Sequence, residues 1–273
     1  MATIDAQLAA GLTRMGSALD RLLAIETRQL DTLTPAEIRL ESQFGEALTP
    51  VLDDLYWYPL RNGISEAPTD ERRLRRWLRE QLSTAAAIAA LLALLRRYLL
   101  RGANVGGQMG LDLLGLTGDF LLVNPDYIAK LDARADDLTT YGSGLSLIDT
   151  TVDDLARGIP QAREDDDNTL TVLAALIAGW VLTRSNRIAV NESSWSVTRA
   201  LNWLYAENGV NTMVFRTRED DRVCPVCESR NGTIIPVDNV PPDLVIPIHV
   251  GCRCVYIART QGWVRPSTIW RGG

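Results

Sequence analysis

Soft metal ligands are scarce in this sequence, and lysine is nearly absent. Among 273 residues there are four cysteines, one histidine (His249) and one lysine (Lys130) among 28 basic residues. The single histidine argues against a metallohydrolase or histidine-metal nuclease. Those chemistries need an open metal position plus a base, and the nucleases need an imidazole beyond the metal shell. Glu192, Asp220 and Asp221 remain as carboxylates for such work, but helix-surface charge and turn capping are simpler roles for them, so the expectation is no enzyme and no catalytic residue.

Other absences narrow the class further. The opening MATIDAQLAAGLTRMG lacks a basic segment followed by an apolar one, so no secretory signal is expected. The longest apolar runs, residues 85–95 and 172–182, are too short to cross a bilayer, so no membrane partner is expected. There is no internal repeat and no low-complexity segment. The acidic run REDDDN lacks the spacing and glycine of a calcium loop and reads as a solvated lead-in to a helix. A formal charge of −6 and a pI near 5.0 oppose a general hold on nucleic acid, so any DNA contact has to be local.

What is present is a globular composition, 46% hydrophobic and 23% charged, in a chain long enough for a sizeable core. The first two hundred residues read as helices. TPAE at residues 34–37 is a capping sequence. Leu74, Trp77, Leu78 and Leu82 share one face of the next helix, and Arg72, Arg73, Arg75, Arg76 and Arg79 crowd the rest, as a solvated face or as a partner or DNA patch. Glycines 102, 106, 107 and 110 permit a close helix contact or a kink. Further helices are expected from Asn124 and Pro125, from caps at Thr150 and Thr151, and from Leu170 to about Asn208 with an interruption near VNESSW. After residue 210 the texture changes. NTMVFRT, NGTIIPV and CRCVYIAR read as short strands.

All four cysteines and the histidine fall between residues 224 and 254, as CPVC followed by HVGCRC. A C-x-x-C turn followed some 20 to 25 residues later by a second ligand pair is the spacing of a tetrahedral zinc site. Cys224 and Cys227 supply the first pair. His249 and Cys252 are the preferred second pair, with Cys254 the rival for the last place. A disulfide framework is disfavoured because the chain is expected to fold in a reducing cytoplasm. Structural zinc would keep this small module folded where its own core is marginal. Arg253, between two cysteines, is placed to pair with Asp220 or Asp221 and join the ligand arms, or else to face solvent.

The stretch FRTREDDRVCPVCESRNGTIIPV followed by IPIHVGCRC resembles the signature of the phage Mu F-like minor head proteins, also called phage head morphogenesis proteins. The matching positions are Asp220, Asp221, Cys224, Pro225, Cys227, Gly232, Pro247, His249, Cys252, Arg253 and Cys254. The helix before it is similar too, with Glu192 at the family's acidic position. The likeness spans roughly residues 95–258 and is strongest from about 187. Two departures stand out: HVGC replaces the commoner His-Pro-Asn-Cys, and Val190-Asn191 replace Arg-Thr. The resemblance implies a non-catalytic head component that accompanies the portal protein, the major capsid protein or both in the virion, with packaged DNA as a further candidate partner, after synthesis in the host cytoplasm. The alternative is a zinc-dependent DNA-binding or DNA-processing protein carried in the capsid.

The expected fold is therefore mainly α with a small C-terminal α+β zinc-stapled module. Its expected parts are an unassigned helical region (1–94), a helical body resembling minor head proteins (95–210), the metal module (211–258) and a tail (259–273). In the tail, Trp263 and Trp270 are candidate docking residues, either onto the module or onto a partner.

Overall fold

The computed structural model describes residues 35–61, 64–83, 86–140, 142–144, 146–163, 169–218 and 223–264. Helix α1 covers residues 35–61, and its buried residues Leu40, Phe44, Leu48, Leu52 and Leu55 recur every three to four positions. The proposed cap Thr34 lies outside the described residues. Five more helices follow: α2 (Glu71–Ser83), α3 (Ala86–Leu114), α4 (Pro125–Thr139), α5 (Leu147–Arg163) and α6 (Thr169–Glu207). As the sequence predicts, Leu74, Leu78 and Leu82 of α2 are buried. Asn124 caps α4, its side chain accepting from the Tyr127 N–H ahead of Pro125.

The spine of the body is the pair α3 and α6, which run the same way where they touch: Gly102 meets Ser196, Gly106 meets Val197 and Gly110 meets Leu204. The glycines of α3 make this close approach possible. A Cβ on Gly106 would collide with the backbone carbonyl of Val197, and one on Gly102 with the Ser196 hydroxyl. The helix stays continuous there, so the glycines serve contact rather than a kink.

Two sequence expectations are corrected here. Helix α5 is capped by Ser146, whose hydroxyl accepts from the Ile148 and Asp149 N–H groups; Thr150 and Thr151 lie inside the helix and donate back to the carbonyls of Ser146 and Leu147. Helix α6 is not interrupted near VNESSW. Small hydroxyl residues there are buried against α3, and Ser196 and Thr198 return their O–H groups to carbonyls one turn back, at Glu192 and Ser194. Polarity in that run marks a tight helix interface instead of a break.

After α6 the chain turns at Gly209 and enters a three-stranded antiparallel sheet of order β2-β1-β3, with β1 Thr212–Arg216, β2 Ile234–Pro236 and β3 Val255–Ala258. Val214 faces Ile234 on one side and Ile257 on the other. The sheet packs on α6 and α3 through β3, and the Tyr205 hydroxyl of α6 donates to the Tyr256 carbonyl (3.2 Å). One apolar cluster runs from α1 through Tyr205 to Met213, Phe215 and Tyr256. The helical body and the module thus share a core.

Candidate metal centre

Two turns bring the donors together. Cys224 caps the single-turn helix α7 (Pro225–Glu228), with extended backbone at the cap, Pro225 next, and the Cys227 N–H donating to its sulfur at 3.4 Å. Opposite it, the Cys252 N–H donates to the His249 carbonyl (3.1 Å) across a turn in which Gly251 has φ 79°. That angle explains one departure from the family motif. Glycine and asparagine are the two residues that enter this region at least cost, and this sequence has glycine there.

The loop carrying His249 is fastened by Tyr256. Its hydroxyl donates to the Leu244 carbonyl (2.6 Å) and accepts from the Ile246 N–H (3.0 Å). The sequence offers Tyr256 only as a strand residue, and nothing local signals this role.

His249 Nε2 lies 3.1 Å from Cys224 Sγ and 3.0 Å from Cys227 Sγ, and Cys227 Sγ lies 4.0 Å from Cys252 Sγ. The ligand atoms form two sets, Cys224, Cys227 and His249, and Cys227, Cys252 and Cys254, each within 4.8 Å. Around zinc, bonds of about 2.3 Å to sulfur and about 2.0 Å to nitrogen place tetrahedral ligands roughly 3.5 to 3.8 Å apart. Within each set the donors lie near that spacing, and Cys227 is common to both sets. All four cysteines are free thiols. His249 Nδ1–H donates to the Val250 carbonyl (3.0 Å), which leaves Nε2 as the lone-pair nitrogen facing the sulfurs.

The thiols differ in acidity. A hydrogen bond from Cys254 holds Cys252 down, to about 5, against its burial. The same contact, with burial, pushes Cys254 far up, and burial pushes Cys227 up to about 12. The N–H of Cys227 lowers Cys224, and the bond to Val250 raises His249. Of this pair, Cys252 is the more acidic sulfur and Cys254 the less acidic.

The other candidate residues lie apart from this cluster or at its rim. Arg253 is half-buried between Cys252 and Cys254, and its carbonyl accepts from Arg218 Nε (3.0 Å). Asp220 and Asp221, its expected partners, lie outside the described residues, as do Trp270 and residues 164–168 of the acidic run. Trp263 is half-buried, and its indole N–H donates to the Asn208 carbonyl at the end of α6 (2.9 Å). Glu192 forms a buried two-pronged pair with Arg134, at 2.8 and 2.9 Å, bracing α6 against α4. Arg75 pairs with Glu71 and Asp153. Arg72, Arg73, Arg76 and Arg79 are exposed, and the first three have no carboxylate partner among the described residues. Sequence reasoning missed Arg218 and Glu37, a buried pair joining the rim of the cluster to α1.

Taken together, a helical body and a thiol-imidazole knuckle pair set on a small sheet define a protein whose candidate site is suited to holding an ion in place. Residues 147–257, from α5 through β3 and so including every donor, match the family described as Phage Mu protein F like protein. A domain similar to this family suggests a structural phage head protein. The match covers less than half of the chain and excludes α1 to α4. No curated protein and no solved structure matches the chain. No single helix among the described residues is long and apolar enough to cross a membrane.

Proposed function

We propose that this protein is a structural minor head component of a tailed phage, acting in head assembly or DNA packaging without catalysis, and that its Cys/His cluster holds one structural zinc ion. The observation that carries the reading is the coincidence of the matched family segment with five converging soft donors. Cys224, Cys227, His249 and Cys252 would hold the ion, with Cys254 beside them. The ion would supply cross-linking free energy on the order of 10 kcal/mol to a module too small to be robust alone. With the one histidine facing the sulfurs, no imidazole is left to serve as a base, and a four-ligand shell leaves no open position for chemistry. The partners are the portal protein, the major capsid protein or both, and the location is the capsid interior or portal vertex, reached from the host cytoplasm.

The test is to purify the full chain and measure its metal by elemental analysis, then to ask whether portal or capsid protein co-purifies with it from infected cells. About one zinc per chain and a retained head protein are expected. A folded, metal-free chain would refute the zinc assignment. The exposed Arg72, Arg73 and Arg76 favour one second reading, a DNA-contacting role inside the capsid. It predicts DNA retardation that weakens steeply with salt and is lost when these arginines are replaced.

A further inference from the structure

Arg218 joins three parts of the molecule. It follows β1, its Nε donates to the Arg253 carbonyl at 3.0 Å, and its Nη2 pairs with Glu37 of α1. Glu37 is buried and Arg218 largely so, with side chains 5% and 11% exposed. Its Nη1 is buried and has no acceptor among the described residues. The same side chain lines a cavity of about 20 Å³ together with Cys224, Cys227, His249, Arg253 and Cys254. A buried guanidinium N–H without an acceptor costs free energy, and the electron-rich groups across this cavity are the sulfurs.

Charge points the same way. Zinc bound by three thiolates and a neutral imidazole carries one net negative charge, and Glu37 adds a second beside it. Such charge is expensive in a low-dielectric setting unless cations are fixed nearby. Arg218 supplies a fixed positive charge at the edge of the cluster. Arginine suits the task because it stays protonated and presents several N–H groups in a rigid fork.

We infer that Arg218 is the charge-compensating and positioning residue of the metal centre, aimed by Glu37, so that α1 completes the surroundings of a site whose ligands all lie in another part of the chain. The inference rests on the zinc reading above. It assigns the unmatched N-terminal helix a function in metal retention. The competing account is an ion pair that clamps α1 to the module and is indifferent to the metal.

The test is competition for zinc between the full-length chain and a chromophoric chelator, run on Arg218→Met, Arg218→Lys and Glu37→Gln, with helix content and thermal midpoint of each chelated protein as fold controls. Groups that orient and neutralise metal ligands change affinity by roughly 10- to 100-fold, and a loss in that range is expected for Arg218→Met. Arg218→Lys should fall between it and the native chain. Glu37→Gln keeps an acceptor oxygen for the guanidinium and should stay within about threefold of native affinity, even where it lowers the thermal midpoint. Native affinity in Arg218→Met, or a loss in Glu37→Gln as large as in Arg218→Met, overturns the inference in favour of the clamp. Should Arg218→Met fail to fold, the decision passes to the other pair: Glu37→Gln losing more affinity than Arg218→Lys overturns it. A native chain that binds no zinc refutes the parent reading instead, which keeps the two failures distinct.

Discussion

At Cys252 and Cys254 one proton separates two otherwise similar thiols. The contact between them lowers Cys252 and raises Cys254, which favours Cys252 as the sulfur that ionises first. Zinc binding needs deprotonated sulfur, and Cys252→Ser should therefore lower zinc affinity more than Cys254→Ser, as read by chelator competition. Equal losses, or the reverse order, would move the fourth ligand to Cys254. His249→Cys should retain zinc better than His249→Ala, because a thiolate still closes the shell. Burial holds Cys227 as a thiol up to about 12, so the ion must displace its proton at neutral pH. Affinity should accordingly weaken as pH falls from 8 to 6, by up to about tenfold per unit for each proton displaced. Cys252, with a value near 5, is already ionised across that window and adds no proton there. A pH-independent affinity would contradict this assignment of charge.

Among the elements, the α3 and α6 pair is the most demanding. Gly106→Ala adds helix propensity of about 1 kcal/mol in isolation, yet its methyl would meet the Val197 carbonyl, a backbone atom that cannot rotate away. The clash should win, with a net loss of about 1–3 kcal/mol in denaturant unfolding. A stabilised Gly106→Ala would show that the two helices can separate without cost. Glu192 and Arg134 belong to the same scale. The glutamate is expected to brace α4 against α6 rather than to serve chemistry, since its two oxygens are both taken by the guanidinium.

For the whole molecule, the question is how far the metal module stands apart from the body. Sequence texture divides them at about residue 210, whereas the apolar cluster continues from the helices into the sheet through Tyr205 and Tyr256. Cys224→Ser, or treatment with a chelator, should expose residues 211–258 to protease first. The helical signal should persist, because α1, α3 and α6 bury their own faces. Loss of most helical circular dichroism on chelation would show instead that the ion supports the entire core. On the head-component reading, Cys224→Ser should fail to enter assembled particles if the module carries the docking surface.

The sequence by itself determined which five soft donors fall together, the helical body, the three strands and the family likeness, because each of these is written in local spacing. A C-x-x-C turn, an apolar residue every third or fourth position and a cap before a proline act within a few residues of one another. The tertiary structure decided the rest. Cys227 is shared between the two donor groups, Tyr256 holds the His249 loop, α6 runs unbroken through a polar stretch, and Glu37 reaches Arg218 from the far end of the chain. Each of these depends on burying a polar group, and burial is set by whichever remote segment packs over that group. Local spacing carries no record of that partner.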